Sequence, residues 1–508
     1  MYLLKKTLVS SLLMTGLALS FSAYSAPQLA LIDTIITGDN KGTEIISIQA
    51  INRQFAISNS IKGVVDIYSL QSPEKPELIQ RFDLNLAAGE QITSVAIHPK
   101  FNYILAAIQA SSAVAAGRIE IRDVKSGKIL SQVNSGIGPD AVVIDPTGRF
   151  AIIPNEAEEF VLDRKNNSYS TADGSITLVY LDENPAKISA TQIQLTDLTG
   201  IAGFVETKHK RFIERAIDWN NDGEITEEPL DLNGNGKIDK DKVVVGTYKG
   251  NTVKVKEKNG ELFMFPLVDN KPDLLEPEYV AFSKDGSKAW VVMQENNGVI
   301  TIDTKTATIT GSFGLGITSH AADIDDDDNI DFDAQLIALR EPDGITLSVD
   351  GKYLITADEG DTDPKASKTK KGPAGGGRTI SVFDASTGDF LGDTGNQIDA
   401  MVHAAEFYPE SRSDNKGSEP EMLTSFDIDG VSYVAAGLER ANGVALISLA
   451  NAKQPSVVSV VAINKDVKAG KIGPEGIAHF YDSQTNQHYI YTANEKNASI
   501  SIFSINVK

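Results

Sequence analysis

The sequence predicts an all-β chain: a seven-bladed β-propeller closed by pairing of its N- and C-terminal strands and interrupted by a calcium-loop insertion. Three observations predict this. One phrase recurs seven times: a Pro-acid turn, an apolar strand, a polar turn, a second strand ending in Asn-Glu or similar, and a third ending near Asp. Each copy contains short runs rich in Val, Ile, Tyr and Phe, several of them bounded by hairpin dipeptides such as Asp285-Gly286, Asp350-Gly351 and Asn297-Gly298. The last copy supplies only three strands, while an orphan strand, Gln28 to Thr37, precedes the first.

Taken in order, copies begin near Glu44 and Gln91, then at Gly138 (GPDAVVIDPTGRFAIIPNEAEE), Glu276 (EPEYVAFSKDGSKAWVVMQENNGVITID) and Glu341 (EPDGITLSVDGKYLITADEGD), near Glu419, and at Gly473 (GPEGIAHFYDSQTNQHYIYTANEKNASISIF). A four-stranded sheet that is apolar on both faces must stack on neighbours, and radial stacking of seven gives a propeller over residues 26–508. The orphan strand then completes the last blade, which removes two open sheet edges.

The 508-residue chain has a formal net charge of −22, which argues against nucleic acid or an anionic membrane surface as partners and favours cations. Lys5 and Lys6, an apolar run from Leu8 to Leu19, and small residues at Ala23, Ser25 and Ala26 lay out a secretory signal peptide over residues 1–25. Its removal leaves the chain two units more acidic. No later stretch is long and apolar enough to span a bilayer. The expectation is an exported protein, periplasmic or secreted, with cell-surface association open. It contains no cysteine, hence no disulfide, thiol nucleophile or thiolate metal site.

Two stretches break the pattern. Residues about 360–377 read as a flexible loop, and residues about 200–262 as a charged insertion in the third repeat unit. The insertion holds two tandem runs with calcium-loop spacing. In the first, Asp218, Asn220 and Asp222 take positions 1, 3 and 5, Gly223 position 6 and Ile225 position 8, and the Glu224 backbone supplies position 7. In the second, Asp231, Asn233 and Asn235 precede Gly236 and Ile238, with Asp239 at position 9. Position 12 is Pro229 or Lys242 rather than Glu, so these are not helix-loop-helix sensors. A third tract spaces Asp323, Asp325 and Asp327 alike, but with Asp328 where the turn glycine belongs. Carboxylates so crowded need either a cation or splaying into solvent.

The first strand of each blade lines the central channel, so one register of the repeat converges at the channel mouth. Asp140, Glu278, Asp343, Glu421 and Glu475 each follow a proline at that register, Glu44 matches without one, and the second copy has Ser94. A second set, Glu156, Glu295, Glu359, Glu439 and Glu495, ends the second strands of the same five blades. Turn preference explains Pro-Asp, but Glu is not a favoured turn residue. Arg378, Arg440 and Lys496 lie nearby in sequence, and an ion flanked by Arg would hold a phosphate. The six histidines show no zinc spacing; His320 and His403 are possible site members.

The phrases LEPEYVAFSKDGSKAWVVMQENN, DIDDDDNIDF, EPDGI and ADEGD resemble the choice-of-anchor I family of exported bacterial propellers, which also takes in a mesenchyme-specific cell-surface glycoprotein of sea urchins. The resemblance implies an exported or cell-surface protein with a calcium association; bacterial relatives are often labelled alkaline phosphatase. The sequence departs in showing no recognisable C-terminal anchor after the final strand. Three functions follow as expectations. The first is a calcium-binding module, binding or structural. The second is a calcium-dependent phosphatase or phytase-like phosphoesterase acting on a phosphorylated small molecule. The third is a scaffold for a protein partner.

Overall fold

The structure, a computed structural model, describes residues 26–112, 114–157, 174–195, 275–360 and 373–507, together with backbone strands at Val161–Asp163, Ser168–Ser170, Val244–Tyr248, Asn251–Lys258 and Glu261–Pro266. Seven four-stranded antiparallel sheets stand around one axis. Blades 1 to 6 cover 43–83, 91–137, 143–194, 277–314, 344–393 and 420–462. Blade 7 takes three strands from 474–506, and its fourth is Gln28–Ile36, which pairs antiparallel with Ser499–Asn506. The first strand of every blade touches the first strands of both neighbours, and this inner ring closes from blade 7 to blade 1.

The core lies between the blades, as the side-chain alternation of a strand requires. In blade 5, Ile355 and Ala357 pack against blade 6, while Leu354, one residue away, packs against blade 4. In blade 1, Phe55 and Ile57 face blade 7 and Ala56 faces blade 2. Each of the seven interfaces holds one such apolar cluster. Closure is reinforced by Arg53 of blade 1, whose guanidinium meets Asp482 of blade 7 at 2.7 Å.

The large insertion follows the fourth strand of blade 3, so it joins two blades rather than interrupting one. Its calcium-type residues, 218–239, lie outside the described residues, as do residues 1–25 and 361–372. The far end of the expected flexible loop is held: Ala374 is buried and bonds through its backbone to Ile337 and Leu339. Those two belong to a hairpin, Ile317–Ala322 with Ala334–Leu339, that stands between blades 4 and 5 and carries the acidic tract at its tip. Among the described residues, no helix is long and apolar enough to cross a membrane.

Candidate functional site

The acidic registers meet at one end of the channel because the backbone is irregular there. In blades 4, 6 and 7 the pairing of first and second strands slips by one residue between Pro277 and Val280, Pro420 and Leu423, and Pro474 and Gly476. The slip is a β-bulge, and each bulge contains the acid: Glu278, Glu421 or Glu475. A bulge re-aims the side chain it carries. The same slip recurs at Glu44 and just before Ser94. The second set is tied to the first by the backbone. The amides of Glu156, Glu439 and Glu495 donate to the carbonyls of Gly138, Glu419 and Gly473, the residues before the prolines, at 2.8 to 2.9 Å. These pre-proline residues have φ of 60°, 53° and 64°, so Glu419 holds a left-handed conformation that suits glycine, as Glu341 does before Pro342 at φ 45°.

Three groups of carboxylates result, with ligand oxygens all within 4.8 Å inside each group: Asp140, Glu156 and Glu278 across blades 3 and 4; Glu359, Glu419 and Glu439 across blades 5 and 6; and Glu421, Glu439 and Glu475 across blades 6 and 7. Asp343 and Glu44 add to the same field, since Asp140 feels both of them and Glu475. Glu495 is ion-paired to Lys496, and Glu295, though buried, is in none of the three groups.

The groups differ in charge balance. Burial and other carboxylates are the chief influences on Asp140 and Glu278, and both push the acids well above the usual range. Burial pushes Glu475 up to about 8 and Glu44 up to about 7. Glu421 is also raised, and its Oε2 is buried without a hydrogen-bond partner. Around Glu419 basic groups counter the acids, although burial still raises Glu359 and Glu439. Arg412 Nε donates to its Oε1 at 2.9 Å, and Arg440 Nε stands 3.0 Å from its Oε2. Arg440 also bonds Glu439, Lys496 lies 3.6 Å from Glu439, and Lys416 lies 3.8 Å from Glu359.

Several expected members stand elsewhere. Arg378 is fully buried, and its guanidinium donates to the carbonyls of Asp323, Ser413 and Asn415 at 2.7 to 3.0 Å, so it is a structural clamp and not a residue of the mouth. Ser94 is buried and accepts from the Val142 amide, joining blades 2 and 3. His320 is tied to the carbonyls of Gly377 and Ala321, and His403 lies on helix α1 (Gln397–Ala404) against Phe332. In the acidic tract, Asp323 turns inward to accept from Ser413 at 2.7 Å, and the carboxylates of Asp323, Asp325 and Asp327 form none of the close groups. Asp328, at φ 64°, adopts the conformation expected of the turn glycine, while Asp326, Asp327 and Asp328 splay into solvent. Glu419 was missed by the sequence reading, although a Glu before the proline recurs at Glu276, Glu341 and Glu419. Arg412 and Lys416 carry no repeat signal.

Fold and site together define a seven-bladed propeller with a carboxylate-lined channel mouth. The choice-of-anchor I domain matches residues 44–374 and 362–452, and the chain belongs to that family, whose domain suggests a surface or exported protein. No curated relative matches. Among solved structures, hydrazine synthase from Kuenenia stuttgartiensis aligns with a TM-score of 0.51 at 11% identity, over 93% of this chain and 100% of that one, a likeness of fold alone. The β-propeller domain of Cps50 (Swd1) from Myceliophteria thermophila aligns with a TM-score of 0.47 at 11% identity, over 94% and 100%.

Proposed function

We propose that this chain is an exported binding or structural module whose channel mouth takes divalent cations, with calcium the ion that its all-oxygen donors suit. The carrying observation is the pairing of two incompletely balanced carboxylate groups, Asp140–Glu156–Glu278 and Glu421–Glu439–Glu475, the second containing the orphaned Glu421 Oε2. Bringing so many acids together is unfavourable unless protons or cations neutralise them. The third group is the weaker candidate, because Arg412 and Arg440 already occupy Glu419. The spacing of residues 218–239 supports a second calcium-loading region in the insertion. The lysine-flanked apolar run at the N-terminus supports export.

A phosphoesterase would need a basic group free to meet phosphate. Arg378 is enclosed, and Arg440 is shared between Glu419 and Glu439, so the geometry favours cation binding over that chemistry. Calorimetric titration of the full chain with calcium, alongside a Glu278→Gln/Glu421→Gln double variant, tests the reading. Binding heat that is unchanged in the double variant would remove the channel mouth from it. Absence of heat in the parent chain, with no melting shift on chelation, would end it.

A further inference from the structure

A polar pocket of about 420 Å³ opens at the opposite ends of the first strands of blades 6 and 7. Glu421 and Glu475 sit near the starts of Pro420–Ile428 and Pro474–Asp482, whereas Asp427 and Tyr481 sit near their ends. Six residues of strand separate Glu421 from Asp427, roughly 20 Å at the usual rise. The pocket is therefore on the far face of the propeller, independent of the mouth.

Its inner wall is a pair of histidines on one face of the blade 7 hairpin. His479 Nε2 and His488 Nδ1 are 2.9 Å apart, and the ring centroids are 5.2 Å apart. The two nitrogens thus face each other at hydrogen-bond distance, an arrangement that does not aim them at a common metal ion. Phe426 stacks on His479 at 4.4 Å, and burial pushes both imidazoles down, His479 to about 3, so the pair is uncharged at neutral pH. Asp427 and Asp429 are the charged groups acting on His488.

The remaining lining groups are mainly hydrogen-bond acceptors, joined by one exposed aromatic ring and an exposed valine. Asp427 spends Oδ1 on the Gly430 amide, and Asp429 is exposed on the same turn. Gln487 donates its amide to the carbonyls of His488 and Ile505, which leaves its side-chain oxygen as an acceptor. Tyr481 is 44% exposed, with its ring tilted against that of His488 at 4.7 Å and its hydroxyl donating to Asn486 Oδ1 at 2.7 Å, and the exposed Val507 also lines the pocket. A ligand matching these groups needs several hydroxyl donors and an apolar C–H face, and the volume falls in the roughly 300–1,000 Å³ range of small-molecule sites.

We propose that this pocket binds a pyranose ring of a neutral carbohydrate, its C–H face on Tyr481 and Val507 and its hydroxyls donating to Asp427, Asp429 and Gln487. A simple ammonium ion would satisfy the carboxylates and leave Tyr481 and Val507 unused. Saturation-transfer NMR on the full chain, with the methyl pyranosides of glucose, galactose and mannose as probes and butylammonium as the contrasting probe, tests it. The expected result is transfer to at least one pyranoside, reduced at least fivefold in Tyr481→Ala and in Asp429→Asn, both substitutions at exposed positions. Glu421→Gln should leave it unchanged. No transfer to any of the three pyranosides, transfer to butylammonium alone, or transfer insensitive to both substitutions in chains that melt like the parent would overturn the proposal.

Discussion

Glu421 and Glu475, on the first strands of neighbouring blades, present carboxylate oxygens within 4.8 Å of each other, and each lies in a bulge that the proline before it begins. Burial and the neighbouring carboxylates raise both acids, which favours protons on this contact when no metal is bound. Loaded, it would be held by a cation. The consequences can be measured separately.

Stability of the metal-free chain should fall as pH rises. Glu475 is pushed up from 4.5 to about 8 and Glu44 to about 7. A carboxyl raised in the folded state binds its proton more tightly there than in the unfolded chain. Its contribution is complete below the unfolded value and lost as pH climbs through the folded one. Melting temperature in chelator should therefore decline from about pH 5 to about pH 8, and calcium should flatten the decline most at the alkaline end. A rising profile in chelator would contradict the protonated mouth.

Replacing Glu421 by Gln removes one charge from the group while keeping its shape. The variant should melt higher than the parent in chelator and bind calcium roughly tenfold more weakly, since affinity follows ligand charge count. Paired melting curves and calorimetric titrations check both directions.

Arg378→Met should be among the most damaging single changes. It strips three carbonyls, two of them buried, of their donor and leaves buried Asp399, 3.7 Å away, without its cation. The cost should be about 3–5 kcal/mol, read from denaturant unfolding. Arg440→Met, at a partly exposed site, should cost less and should instead strengthen cation binding by freeing Glu439.

Asp358 tests the blade scaffold. It is buried, pushed up to about 6 by desolvation, and accepts from Thr356, Thr379 and Ser381. Blades 3 and 7 place Asn155 and Asn494 at the same end of the second strand, with Ser and Thr partners. Asp358→Asn should be tolerated, with a gain in stability above pH 6 that disappears in acid. Thermal melts across that range check it.

Deleting residues 26–37 should open the ring. The deletion exposes the Ser499–Asn506 edge and removes Leu29 from the cluster between blades 6 and 7. Size-exclusion chromatography should show association, and the melt should broaden.

Much of the fold was legible because a propeller repeats one solution. The seven phrases mark seven sheets, and the shortfall of one strand after Pro474 matches the surplus strand before Glu44. The two acidic registers were legible for the same reason. Their neutralisation was not. Arg378 stands one residue before a third strand, much as Arg440 follows a second, yet one is spent on carbonyls and the other on Glu419 and Glu439. That difference arises from the segment 405–419, which has no counterpart in the other repeats and so no signal to read.

By itself the sequence determined how many blades form, how the ring closes, and which residues share a register, since these depend on local periodicity and on counting. Only the tertiary structure decided which carboxylates come within reach of one another and which bases meet them. Distances across the channel and around Glu419 are set by bulges, left-handed turns and one irregular loop, and electrostatic energy depends on those distances rather than on order along the chain.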